Sequence, residues 1–272
     1  MRDADCVAFL QWALPRLEMR WSGFRRVRRQ VCKRLRRRLA QLALEGLDDY
    51  RRYLDEHPAE WGTLDACCRI TISRFYRDRA VFDTIRDPIL PALARIARQR
   101  DDRTIRCWSA GCASGEEPYS LSLAWKIDVS PRAPGVDLSL VATDVDAGLL
   151  ERARVGCYPT GSLRELPSDW IAAAFETADD LLCLRGGYRS GVEFVRQDIR
   201  REMPEGPFDL VLCRNLVFTY FEVGVQGTLL ERILRAMTSR GLLVLGGHEA
   251  LPPGHWPFDR PYGSLPIYRR TE

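Results

Sequence analysis

The stretch of this 272-residue chain best suited to chemistry is a small-residue turn followed by two adjacent carboxylates. A β-prone run from Ile105 to Trp108 enters a loop of small residues, Ser109 to Gly115. Glu116 and Glu117 follow, then Pro118 and an apolar helical pattern through Tyr119, Leu121, Leu123, Ala124 and Ile127. A strand, a small-residue turn and a helix start bring backbone close to a ligand and aim helix N–H groups at it. Two carboxylates repel a phosphate, and no Gly-Lys-Ser/Thr is present to hold a nucleoside triphosphate. The pattern suits a cationic, hydroxyl-rich ligand.

Other polar residues sit where β-prone runs end. Asp144 follows Leu140–Thr143, Asp198 follows Val192–Gln197, and Arg214-Asn215 follow Leu210–Cys213. Parallel α/β sheets bind ligands at the carboxyl ends of their strands. There Asp144 suits bidentate hydrogen bonding to a ribose diol. Asp198 can accept from an adenine amino group while Ile199 packs on the ring, and Glu117 can accept from an ammonium. The competing reading of strand-end aspartates is helix N-capping, and it fits Asp146 better than Asp144. A ligand such as S-adenosylmethionine fits these groups.

Positioning such groups needs a particular order of elements. Residues 1–66 read as helices over Val7–Arg20, Phe24–Ala43, Leu47–Glu56 and Trp61–Ile70, punctuated by Gly46 and Pro58. From about Thr71, β-prone runs at Ile105–Trp108, Leu138–Thr143, Val192–Val195, Leu210–Cys213 and Leu242–Gly246 alternate with helical patterns. That alternation predicts an α/β fold with a parallel sheet. We expect a helical domain over residues 1–70 and an α/β domain over 71–272. Gly186-Gly187, between two short β-prone runs, predicts a hairpin over about 181–196. The proline-rich tail ending in Ile267-Tyr268-Arg269 predicts an edge strand.

Composition narrows the alternatives. No apolar run approaches the ~18–20 residues of a membrane span, which predicts no membrane insertion. The N-terminus lacks a signal-peptide apolar core, so the expected compartment is the cytoplasm. The nine cysteines form no C-x-x-C pair and read as reduced thiols filling the core. With only His57, His248 and His255 available, no metal site is expected. Residues 1–40 carry twelve Arg/Lys against three Asp/Glu, a balance of +9, whereas the whole chain is +4. Nine of the fourteen residues of Arg25–Arg38 are basic and none is acidic. Val27, Val31, Leu35 and Leu39 recur every four residues, as one buried helix stripe would. The opposite, cationic face suits an acidic partner; nucleic acid is the less favoured alternative.

Trp108-Ser109-Ala110-Gly111-Cys112-Ala113-Ser114-Gly115-Glu116-Glu117-Pro118-Tyr119-Ser120 resembles the cofactor loop of the CheR-type methyltransferases, which esterify glutamate side chains of bacterial chemoreceptors. Four further segments resemble that family in the same order. They are Thr71–Asp78; Ala142–Asp146 with Leu149, Ala153-Arg154 and Gly156-Cys157-Tyr158; Phe208–Asn215; and Gly241–Glu249. The resemblance implies a Rossmann-like class I methyltransferase sheet with a small N-terminal all-α domain and a short β-hairpin insertion. It implies S-adenosylmethionine as cofactor, held by Thr71, Ser73, Arg77, Ala110, Gly111, Glu117, Asp144, Asp198, Ile199, Arg214 and Asn215. It also implies Arg77, Arg214 and Tyr220 around the reacting groups, and a chemoreceptor-like acidic substrate facing the arginine-rich helix. Thr71 and Ser73 stand where the family often has Asn and Thr. Leu216–Phe221 is one residue longer than the family's spacing, and His248-Glu249 replaces its usual Ser-Glu exit.

A glutamate acceptor, with a pKa of about 4.3, is an anion at pH 7 and needs no general base. Transfer then depends on alignment and exclusion of water. A small-molecule or RNA acceptor, and a cofactor-binding module without turnover, remain alternative readings of the same residues.

Overall fold

A computed structural model describes residues 2–271. The chain divides into two compact units, Met1–Thr71 with Thr219–Gln226, and Ile72–Phe218 with Gly227–Glu272.

The first unit is helical, with α-helices over Asp3–Ala13, Arg28–Gln41, Leu47–Glu56 and Glu60–Cys68. The four-residue spacing has its expected effect in Arg28–Gln41, where Val31, Cys32, Leu35 and Leu39 are buried and Lys33, Arg36 and Arg37 are exposed. Val27 lies just before that helix and is only half-buried. Phe9 stacks on Tyr50 at 5.7 Å between ring centroids. Arg38 pairs with the buried Glu60 at 2.7 Å, and Tyr50 Oη donates to the same carboxylate at 2.7 Å. Arg34, by contrast, is committed to structure and donates to the carbonyls of Cys67 and Arg69 at the end of Glu60–Cys68. Thr219–Gln226 joins this unit through backbone hydrogen bonds, Arg20 N to Tyr220 O (2.8 Å) and Glu222 N to Glu18 O (2.9 Å).

The second unit is built on a seven-stranded sheet. Its strands are β1 (Thr104–Ala110), β2 (Asp137–Asp144), β6 (Val192–Arg196), β7 (Phe208–Leu212), β8 (Met237–Val244), β9 (Phe258–Asp259) and β10 (Ile267–Arg270). Their spatial order is β6-β2-β1-β7-β8-β10-β9. The five strands from β6 to β8 are parallel, and β10 runs antiparallel to β8 and to β9. The order reverses at β1, where the chain first builds outward through β2 to β6 and then returns to β7 on the other side. A ligand crevice opens at such a reversal. Strand β7 is buried along its whole length, as expected for a central parallel strand.

Three expectations are corrected. The hairpin does not turn at Gly186-Gly187. A small sheet of order β3-β5-β4 forms from β3 (Cys157–Pro159), β4 (Phe175–Ala178) and β5 (Leu181–Leu184), and the turn falls at Asp179-Asp180. Asp179 adopts the left-handed φ (51°) that aspartate tolerates, whereas Gly186 opens a short helix and Val192–Arg196 pairs into the main sheet. The tail strand β10 is not an edge; the two-residue β9 covers its outer side. The cysteines are not all reduced. Cys6 bonds Cys32 and Cys157 bonds Cys183, both pairs 26 residues apart in sequence, while Cys67, Cys68, Cys107, Cys112 and Cys213 are free. Helix packing and the β3–β5 register bring these pairs together, and spacing alone does not reveal them.

Among the described residues no helix is long and apolar enough to cross a membrane.

Candidate cofactor site

The cofactor loop leaves β1 at Ala110 and turns back on β2. Gly111 N and Cys112 N both donate to Thr143 O, at 2.8 and 3.0 Å. Gly111 (φ 75°) and Gly115 (φ 92°) take left-handed backbone that L side chains rarely adopt. A Cβ on Gly115 would meet Ala153 Cβ at 2.9 Å and Tyr158 Oη at 3.1 Å. Tyr158 Oη donates to Ser114 O at 2.7 Å, pinning the loop to the start of the small sheet. The helix Glu116–Leu123 then begins with Glu116 and Glu117 in its first turn.

Asp144 ends β2. Its Oδ2 accepts from Ala113 N and its Oδ1 from Asp146 N, both at 2.9 Å, so the carboxylate is oriented toward the loop. Asp146, not Asp144, caps the following helix by accepting from Gly148 N and Leu149 N. Asp198, past the end of β6, is gripped by Arg200 at 2.8 Å. Burial works to raise its pKa, yet the Arg200 hydrogen bonds and charge hold the carboxyl below its ordinary value. Ile199 is buried beside it. Gln197 Oε1 is buried with no protein partner, an acceptor waiting for a donor at the same strand end.

The most heavily desolvated charges gather at the end of β7. Arg214, 3% exposed, donates from Nη1 to Glu117 Oε2 at 3.0 Å. Its Nη2 donates to Asp78 Oδ2 at 2.6 Å and to Arg77 O at 2.7 Å. Its guanidinium lies 5.1 Å over the Phe82 ring, and its Nε is buried without a partner. Glu117 also accepts from Ser109 Oγ at 2.8 Å. Burial pushes the Glu117 carboxyl above its ordinary pKa, with Arg214 pulling the other way. Two carboxylates around one guanidinium leave this cluster net acidic, which favours a cation.

Asn215 follows with φ 57°, and its N–H donates to Glu249 Oε2 at 2.7 Å. Arg77 is half-buried, and its Nη1 donates to Ile72 O at 2.9 Å rather than to a carboxylate. The free thiols Cys112 and Cys213 are pushed well up by burial, so neither offers a thiolate.

Ser73, Arg77, Ala110, Gly111, Glu117, Asp144, Asp198, Ile199, Arg214 and Asn215 all belong to the α/β unit. Within it Glu117 and Arg214 are in direct contact, while Asp144 and Asp198 end adjacent parallel strands. Thr71 and Tyr220 belong to the helical unit instead, where the Tyr220 ring lies 5.1 Å from that of Phe24. Sequence reasoning quoted Asp78, Ser109 and Glu249 inside motifs without giving them roles. A carboxylate beside an arginine two motifs away is visible only once the chain is folded.

These groups fit S-adenosylmethionine. A carboxylate at the end of β2 answers a diol, orphaned and paired acceptors at the end of β6 answer an amino group, and the acidic cluster answers a cationic methionine end. Among the described residues there is no group of three or more His, Cys, Asp or Glu placed to hold a metal ion.

Comparison with known proteins agrees. Residues 71–259 match the family "CheR methyltransferase, SAM binding domain". The chain is 32% identical to the chemotaxis protein methyltransferase of Listeria monocytogenes over 182 residues, 67% of this chain and 66% of that protein, just under two thirds of its length. It is 32% identical to chemotaxis protein methyltransferase 2 of Pseudomonas aeruginosa over 233 residues, 80% of this chain and 77% of that protein. Among solved structures, the N-methyltransferase NodS of Bradyrhizobium japonicum in complex with S-adenosyl-L-homocysteine aligns with a TM-score of 0.31 at 15% identity, covering 52% of this chain and 51% of that one. The extent of the family match, over a segment that includes Glu117, Asp144, Asp198 and Arg214, shows that this chain belongs to the CheR methyltransferase family.

Proposed function

We propose that this protein is a protein-glutamate O-methyltransferase that methylates side-chain carboxylates of an acidic, chemoreceptor-like signalling protein in the cytoplasm. The observation that carries the reading is the net-acidic Arg214–Glu117–Asp78 cluster at the end of β7, at the topological reversal of the sheet. S-adenosylmethionine supplies an electrophilic methyl on a positively charged sulfur. The chain's own residues bind and orient it. Asp144 takes the ribose diol, Gln197, Asp198 and Ile199 take the adenine, and Glu117 holds the cationic end with Ala110, Gly111 and Asn215 lining the loop. Thr71 and Ser73 contribute hydroxyls.

Arg214 has a different part from the one its sequence position implies. With Nη1 and Nη2 committed to Glu117 and Asp78, it organises the acidic cluster and is a poor choice to grip an acceptor carboxylate. Arg77, whose Nη1 donates to Ile72 O and whose charge also acts on Glu117, orients the acceptor. The acceptor is already an anion, so no proton need be removed before transfer.

The docking surface we assign is the exposed stripe Arg26, Arg29, Lys33 and Arg37 along the arginine-rich helix and its approach. Acidic partners are drawn to such a face at rates that fall with salt.

The test is transfer of labelled methyl from S-adenosylmethionine into host lysate by the pure protein, followed by mild alkali. Label that enters protein and leaves as methanol establishes carboxyl methylation, and the labelled band names the acceptor. Alkali-stable label assigns the acceptor to nitrogen, RNA or a metabolite. Cofactor binding with no transfer to any acceptor makes the chain a regulatory module.

A further inference from the structure

Glu249 lies outside the group of residues that meet the cofactor, yet it is buried at 8% exposure and both ends of its geometry are occupied. One oxygen, Oε2, accepts from Asn215 N at 2.7 Å and from Gly246 N at 2.7 Å. Its own N–H donates to Gly246 O at 2.9 Å. The carboxylate therefore staples the exit of β7 to the exit of β8. The staple sits where Asn215 takes φ 57° immediately after the cluster-forming Arg214. Asparagine tolerates left-handed backbone, so the staple fixes the geometry of this turn rather than relieving strain in it. Gly246 completes the fit, since a Cβ there would come within 2.0 Å of Asn215 Nδ2. Strand register reinforces the arrangement, with Cys213 N donating to Val244 O at 2.9 Å.

We propose that Glu249 is a positioning residue for the methyl-transfer site, fixing the Arg214-Asn215 turn by accepting two backbone hydrogen bonds with one carboxylate oxygen. This rests on the reading that Arg214 and Asn215 serve the methionine end of the cofactor. The role requires an acceptor at a given reach rather than a negative charge. Glutamine meets that requirement; aspartate keeps the charge and withdraws the acceptor by one methylene.

The experiment compares E249Q, E249D and N215A by calorimetric titration with S-adenosylhomocysteine, alongside thermal midpoints, in the full chain without any acceptor. The expected result has three parts. N215A weakens binding, E249D weakens it by about ten- to a hundredfold, the scale on which loss of a supporting partner acts, and E249Q stays within about threefold of the parent. Midpoints of E249D and E249Q remain close to each other, so the affinity difference follows reach and not stability. Parent-like affinity of E249D beside a weakened N215A overturns the positioning role while leaving the site reading intact. Parent-like affinity of both N215A and E249D overturns the site reading and the positioning role with it. Equal loss in E249D and E249Q, tracking a lowered midpoint, makes Glu249 a stabilising residue only and also overturns the proposal.

Discussion

Replacing Glu117 by glutamine isolates the charge of the acidic cluster from its shape. The Glu117 carboxylate is 13% exposed, 3.0 Å from Arg214 and 2.8 Å from Ser109 Oγ. The two donors use different oxygens, so an amide of the same outline accepts from Arg214 through its single oxygen and turns its NH2 toward Ser109 Oγ, which then accepts. Burial penalises the charge that is removed, and Arg214 keeps the Asp78 carboxylate as its counter-ion, so no buried charge is left uncompensated. Fold stability should therefore shift by less than about 1 kcal/mol. Ligand binding should respond differently. A unit positive charge ~5 Å from a carboxylate interacts by about 3 kcal/mol at an effective dielectric of ~20. Arg214 offsets part of this, which leaves about 1.5–3 kcal/mol, or roughly ten- to a hundredfold in affinity. Calorimetry with S-adenosylmethionine and S-adenosylhomocysteine reads the effect, and both should weaken, because both carry the methionine ammonium. The same charge has a pH signature. Because the folded-state pKa of Glu117 is raised, the native protein binds its proton before the unfolded chain does as pH falls. Acidification through the interval between the ordinary and the raised value thus favours the ligand-free fold while it weakens S-adenosylmethionine binding. Unchanged S-adenosylmethionine affinity in a folded Glu117→Gln protein would refute the reasoning.

Three other outcomes follow from the same structure. Asp144→Ala should weaken S-adenosylhomocysteine by about 1–3 kcal/mol, since it removes the acceptor offered to the diol and releases Ala113 N and Asp146 N; unchanged affinity by calorimetry removes Asp144 from the site. Charge reversal of exposed residues, Arg29→Glu with Arg37→Glu, should leave S-adenosylhomocysteine affinity unchanged and slow transfer to a macromolecular acceptor, with the parent rate itself falling as salt rises; parallel loss of both refutes the docking face. Arg34 is unsuited to that test because it holds the Cys67 and Arg69 carbonyls. Disulfides persist poorly in a reducing cytoplasm. Thiol titration under denaturing, non-reducing conditions should find more free thiols in freshly lysed cells than the five unpaired cysteines of the oxidised protein; five in both settings argues against the cytoplasmic assignment.

What could be read before folding follows a physical division. Strands β1, β2, β6 and β7 announce themselves because each is a short β-prone run ending in a small or polar residue, and the loop from Ser109 to Gly115 does so because close backbone approach demands small side chains. The stripe Val31, Leu35, Leu39 is legible for the same local reason. Non-local pairings are not. Nothing in the neighbourhood of Arg214 foretells Asp78, which lies 136 residues away, or Glu249 beneath Asn215. Gly186-Gly187 misleads because two glycines favour turns, while Asp179-Asp180 turns just as well once β3 supplies a third strand. Cys157 and Cys183 meet only because antiparallel register sets them opposite one another.

The assignment of Thr219–Gln226 to the helical unit has a consequence for modularity. The backbone passes from one unit to the other three times, after Thr71, after Phe218 and after Gln226. The family match, beginning at residue 71, runs straight through that returning segment. A protein cut at residue 71 would carry Phe221 and its neighbours without the Met19 backbone bridge and the Phe24 ring that receive them. The two units are thus not separable beads on a string. Inheritance by domain shuffling, or expression of the α/β half alone, would leave an orphaned apolar segment on the surface, so the helical unit and the methyltransferase sheet are expected to travel through evolution as one indivisible cassette.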